Sequence, residues 1–118
     1  MVRHYSAFPF AELKGYPVQI GSFSVIDYGG NVEFGKNVKV GYGVKILSVS
    51  TITGTKKVPL IRGPIKIGDN VEIGSNSVIL PGVIIWNNST IAACSVVNKN
   101  IPENCLAGGL PAKVIKYK

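Results

Sequence analysis

Residues 67–97 read IGDNVEIGSNSVILPGVIIWNNSTIAACSVV, and an aliphatic side chain returns at every sixth place: Ile67, Ile73, Ile79, Ile85, Ile91 and Val97. A second series follows four residues after each of the first five, at Val71, Ser77, Val83, Ser89 and Ser95, all small or β-branched. The places between hold mostly Gly, Asp, Asn and Ser. A period of six fits neither an amphipathic helix, which repeats at about 3.6 residues, nor simple alternation. It fits short strands joined by tight turns, each hexad forming one flat side of a coil with its first and fifth residues facing inward. Gly68, Gly74, Asn70, Asn76 and Asn88 are the residue types that tolerate positive φ or bond locally at corners. Stacked coils bury a continuous core and pair each strand above and below.

Outward from this stretch the same pattern continues with interruptions. Phe34, Val40 and Ile46 keep the spacing, with Val38 and Val44 in the fifth places and Ser24 following Ile20. Ile26 to Phe34 is eight residues, so a two-residue bulge is expected around Tyr28 to Asn31. Between Ile46 and Ile65 the period is lost in LSVSTITGTKKVPLIRGP, read as an extruded loop of the kind that carries function on a rigid scaffold. The expected organisation is an N-terminal arm over 1–17 and a solenoid over 18–118. Within the solenoid the loop spans about 47–64, and a C-terminal segment spans about 98–118.

Composition narrows the function classes. The chain has 118 residues, enough for one domain of modest core, and support from a partner chain is expected. Hydrophobic residues make up 46%, yet no apolar run is long enough to span a bilayer. The opening MVRHYSAFPFAELKG lacks the continuous apolar segment of a secretory signal, so a cytoplasmic location is expected. Thirteen Lys and Arg against six Asp and Glu give a net charge of +7, which favours anionic ligands. These basic residues are scattered, with no RNA-binding aromatic signature or zinc-finger spacing, so nucleic acid is not the expected partner. Cys94 and Cys105 lie eleven positions apart with no CxxC, and are read as buried reduced thiols.

The block PIKIGDNVEIGSNSVILPGVIIWNNSTIAACSVVNKNIPENCLAGGLPAKVIK resembles the hexapeptide-repeat acyltransferases, most of all the galactoside and maltose-type sugar O-acetyltransferases. That family shows an IG-x-N-V-W-IG rung, a PGV rung, a G-A-G-S-V-V-T-K-D-I-P segment and an ending like GNPAKVIK. The resemblance runs from about Val18 to Lys118. It implies an all-β, single-stranded left-handed parallel β-helix, a homotrimer with active sites between subunits, and acetyl-CoA as donor to a sugar or sugar-nucleotide hydroxyl or amine, as in polysaccharide biosynthesis. Ser75 and Ala93 match positions whose backbone bonds the pantetheine arm. Asn98 and Lys99 match the Thr-Lys pair that follows, and Gly109, Pro111 and Ala112 shape the ending. Lys113 and Lys116 match basic positions near the nucleotide phosphates, where ammonium groups serve as point charges.

One element of the family's chemistry is missing. A histidine serves there as general base, taking the proton from the attacking hydroxyl or amine. Alignment by VGYGVKI places it near Thr51 and alignment by TITGT at Thr55, and the chain's one histidine is His4. Asp27, Glu72 and His4 are the candidate substitutes. The alternative is a β-helix that keeps the scaffold without the reaction. A single histidine also cannot supply the three-histidine zinc site of the γ-type carbonic anhydrases, so no metal is expected. Phe23, Tyr28, Phe34, Tyr42 and Trp86 are expected on outer walls, where exposed apolar area marks an interface.

Overall fold

Hexads become walls because two inward side chains per six residues leave space only for a short strand, and the third and fourth places then turn the chain. A computed structural model describes residues 2–6, 11–51 and 60–118. The first coil holds β1 (Arg3–Tyr5), β2 (Leu13–Gly15) and β3 (Gln19–Ile20), and the second β4 (Val25–Asp27), β5 (Val32–Phe34) and β6 (Lys39–Val40). β7 (Lys45–Leu47) opens the third and is followed by β8 (Val49–Thr51) and β9 (Leu60–Arg62), after which β10 (Ile65–Ile67) and β11 (Glu72–Ile73) resume the coil. The fourth comprises β12 (Val78–Ile79), β13 (Ile84–Ile85) and β14 (Thr90–Ile91). The chain ends in β15 (Val96–Val97), β16 (Cys105–Gly109) and β17 (Ala112–Tyr117).

Three walls result. Wall A stacks β1, β4, β7, β12 and β15; wall B stacks β2, β5, β10 and β13; wall C stacks β3, β6, β11, β14, β16 and β17. All pairings in the walls are parallel except the last, where β17 folds back antiparallel on β16. The chain is a left-handed parallel β-helix of about five turns. β1 and β2 pair with β4 and β5, so walls A and B reach into the segment expected as an arm, upstream of Val18.

Both series of the repeat lie inside. Ile67, Ile73, Ile79, Ile85, Ile91 and Val97 are buried, as are Val71, Ser77, Val83, Ser89 and Ser95. Each fully buried isoleucine contributes roughly 1.5–3 kcal/mol through the water it sheds. The buried serines close their polar needs on backbone: Ser77 and Ser95 both donate to Ala92 O, at 3.1 and 2.7 Å.

The turns follow the sequence reading. Asn37, Asn70, Asn88 and Asn104 form one column at the edge between walls B and C, all with φ between 55 and 61°. Asn37 Nδ2 donates to Asn70 Oδ1 and Asn70 Nδ2 to Asn88 Oδ1, each at 3.0 Å. Gly74 is required for another reason: a Cβ there would sit 2.4 Å from Ala93 N in the next coil. The bulge expected near Tyr28 is a turn in which Asn31 N donates to Tyr28 O.

Several expectations need correction. Phe34 is 4% exposed, because its place in the first series points it into the core, and Tyr28 is half-buried against that core. Phe23, Tyr42 and Trp86 are exposed as expected. Cys105 is buried but Cys94 is exposed, because it occupies a turn with φ of 60°. The extruded segment is not shapeless at its base: β8 and β9 pair as an antiparallel ribbon from Val49↔Arg62 to Thr51↔Leu60. Thr55 lies outside the described residues.

Candidate functional site

The edge between walls C and A carries Ser75 and Ala93, two of the residues expected to hold a cofactor. In successive coils it reads Gly21-Ser22-Phe23-Ser24, Gly41-Tyr42-Gly43-Val44, Gly74-Ser75-Asn76-Ser77 and Ala92-Ala93-Cys94-Ser95. Phe23, Gly43, Asn76 and Cys94 all have φ between 60 and 64°, so the turns superpose. Consequently Ser75 and Ala93 stack in one column: Cys94 N donates to Ser75 O at 2.9 Å, and Ser75 Oγ accepts from Tyr42 N at 3.1 Å. Small side chains at Gly74, Ser75, Ala92 and Ala93 leave the last two coils of this edge open to an extended ligand, while Tyr42 and Phe23 stand exposed on the coils before them.

The C-terminal hairpin closes on the same edge. Gly109 N donates to Ser95 Oγ at 3.1 Å, and a Cβ on Gly108 would fall 2.8 Å from Ala92 Cβ. Gly109 has a φ of 109° and pairs with buried Ala112, so Gly109, Pro111 and Ala112 make the turn that docks β17. Lys113 and Lys116 are exposed on β17, opposite Gly108 and Leu106.

Wall C continues the site sideways. Its outward column runs Lys39, Glu72, Thr90, Leu106 and Lys116. A shallow cleft of ≈ 290 Å³ is lined by Lys39, Gly41, Glu72, Gly74 and Thr90 among others. Lys118 Nζ donates to Thr90 Oγ1 at 2.8 Å. Glu72 is exposed and lies on the same rung as Ser75, three residues before it.

Other candidates are elsewhere. Asp27 ends β4 on the far side of wall A, where Oδ1 accepts from Gly29 N at 3.0 Å beside the β8–β9 ribbon. Asn98 and Lys99 stand exposed after β15, in line with Asp27 along the edge between walls A and B. His4 pairs with Ile26 in the first coil, three strands along wall A from Val78, or about 14 Å at the usual strand spacing. Sequence reasoning missed Lys39, Thr90 and Lys118. A spacing of 18 links Glu72 to Thr90, one full coil, and was available; the ribbon's insertion hides Lys39. Among the described residues no group of His, Cys, Asp and Glu could hold a metal ion, and no helix is long and apolar enough to cross a membrane.

Fold and edge together define a β-helix with an open, glycine-rich edge ending in a basic hairpin. The family model described as bacterial transferase hexapeptide (six repeats) matches residues 64–99. Galactoside O-acetyltransferase of Escherichia coli (strain K12) is 47% identical over 53 residues, covering 45% of this chain and 26% of that protein. Two solved structures align along nearly the whole chain. A maltose O-acetyltransferase from Clostridium difficile 630 is 29% identical with a TM-score of 0.67, over 99% of this chain and 66% of that one. A galactoside acetyltransferase in complex with coenzyme A is 29% identical with a TM-score of 0.72, over 98% and 64%. The chain carries the bacterial transferase hexapeptide repeat over residues 64–99 and is similar to the hexapeptide-repeat acyltransferases, among them galactoside and maltose O-acetyltransferases. The matched stretches span 26% to 55% of the curated relatives' own lengths.

Proposed function

We propose that the chain is an acetyl-CoA-dependent acetyltransferase acting on a sugar or sugar-nucleotide hydroxyl or amine, working in the cytoplasm as a homotrimer and supplying polysaccharide biosynthesis. The observation that carries this reading is the junction of the bare Ser75–Ala93 edge with the Lys113 and Lys116 hairpin, tied by Ser95 to Gly109. A pantetheine arm is long, thin and rich in amides, and suits an edge of exposed backbone. Phosphates suit the two ammonium groups at its end. The similar galactoside acetyltransferase structure holds coenzyme A, which supports the donor.

In the reaction the acceptor oxygen or nitrogen attacks the thioester carbonyl carbon, the carbon–sulfur bond breaks, and the departing sulfur takes a proton. A base must remove the acceptor's proton. Glu72 is the candidate best supported for this role, since it shares a rung with Ser75 and opens into the wall C cleft. Asp27 and His4 are farther along the coil from that rung, and Asn98 and Lys99 are assigned to the carrier only by the family resemblance.

A second reading, a β-helix without the reaction, is favoured by one observation: the chain's one histidine pairs with Ile26 at the first coil, away from the Ser75 rung. Thiol release from acetyl-CoA in the presence of galactosides, maltose and amino sugars separates the two. Acceptor-dependent release supports the transferase. Binding of acetyl-CoA without release to any acceptor would leave the scaffold.

A further inference from the structure

We propose that the cleft on wall B around Trp86 is a second ligand site, one that takes a neutral sugar ring, separate from the edge between walls C and A. The cleft has a volume of ≈ 270 Å³ and is lined by Glu33, Lys66, Asp69, Ile84, Trp86 and Asn87 among others. Trp86 stands in the second place of its hexad. The two preceding coils carry Gly35 and Gly68 at that place, and all three lie in the lining. The indole is 51% exposed. Its backbone is fixed, since Trp86 N donates to Ile101 O at 3.0 Å and Gly68 N to Ile85 O at 2.8 Å. An aromatic plate on a rigid wall presents a flat apolar face at little entropic cost.

Polar groups surround that plate in the pattern a sugar needs. Glu33, Lys66 and Ile84 form one register column on wall B, so a carboxylate and an ammonium flank the indole. Neither Glu33 nor Lys66 forms an ion pair or side-chain hydrogen bond among the described residues, although they are register neighbours. Asp69 Oδ1 accepts from Lys36 N and Asn87 Oδ1 accepts from Asp69 N, both at 2.8 Å, which fixes the two side chains and leaves Asp69 Oδ2 and Asn87 Nδ2 for a ligand. The cleft therefore offers acceptors, donors and an apolar plate together.

Charge and chemistry choose among ligands. Two carboxylates against one ammonium disfavour phosphate or nucleotide. A purely apolar occupant would strip water from four polar groups and give them no partner. An alkylammonium would meet Lys66 between Glu33 and Ile84 in the same column. A pyranose ring has a C–H face to lie on the indole and hydroxyls that both donate and accept. The site stands whether or not the other edge binds an acyl carrier.

Trp86 is the chain's one tryptophan, so its emission reports this cleft alone. The full chain is titrated with maltotriose, lactose and chitotriose, with choline as the cationic probe. The expected result is a saturable emission change with at least one of the sugars. It should weaken about tenfold or more in the Glu33→Gln, Asp69→Asn double variant, as expected when charged hydrogen bonds are removed. Calorimetry on Trp86→Ala, its fold checked by circular dichroism, should find the same loss, while Lys113→Ala should leave sugar binding unchanged. No response to any of the sugars, a response to choline alone, or an indole that iodide cannot quench in the assembled protein would each overturn the proposal.

Discussion

Ser95 Oγ accepts from Gly109 N at 3.1 Å and donates to Ala92 O at 2.7 Å, so one buried hydroxyl joins the fifth coil to the turn that carries the C-terminal lysines. The serine is fifth in its hexad, a place that at Val71 and Val83 only fills the core. Here it also sets where β17 begins.

Ser95→Ala therefore has two effects. Removing the hydroxyl leaves the Gly109 amide short of a partner, while Ala92 O keeps the bond from Ser77 Oγ, and stability should fall by about 1–3 kcal/mol. Acetyl-CoA binding should fall as well, because the hairpin loses its register on the edge. Denaturant unfolding and calorimetry read the two effects separately. Unchanged acetyl-CoA affinity in a folded Ser95→Ala would show that the hairpin is held by other contacts.

The asparagine column makes a sharper prediction about stability. Asn70 has a φ of 57° and bridges Asn37 to Asn88. Asn70→Ala should cost about 1–2 kcal/mol through the left-handed conformation alone, with the lost ladder bonds added. Asn70→Gly removes the same bonds but tolerates the conformation, and should recover most of that difference. Equal melting temperatures for the two variants would mean that the ladder, not the backbone, dominates.

Glu72→Gln keeps size and hydrogen-bonding capacity but cannot accept a proton as a base. Acetyl transfer should drop by about 100-fold, the lower range for a general base, with acetyl-CoA affinity kept. Asp27→Asn should alter turnover far less. The reverse order would move the base to the edge between walls A and B.

How much of this was legible in the sequence depends on the period at which it is read. Spacing by six picks out Ile67 to Val97 as core without any structure, because every wall buries the same places. A site is assembled from neighbours one coil apart, and that needs a spacing of 18, as between Glu72 and Thr90. The β8–β9 insertion stretches the same step to 33 residues between Lys39 and Glu72, so the column that unites them is invisible along the chain. β1 and β2 escaped notice because their residues carry no hexad pattern: Arg3–Tyr5 and Leu13–Gly15 join the walls through backbone hydrogen bonding and edge position. Cys94 looked like core by residue type, yet its place is the turn shared with Asn76. Position within the hexad decided its exposure.

The proposed acyl-CoA site is the edge from Ser75 to Gly109 with its terminal lysines. The most direct test is calorimetric titration of the full chain with acetyl-CoA, beside the Lys113→Ala, Lys116→Ala double variant. Saturable binding to the parent chain is expected, with affinity lower by about tenfold or more in the variant, since each lysine would supply a charged contact. Absence of binding by the folded parent chain, or equal affinity in both proteins, would contradict it.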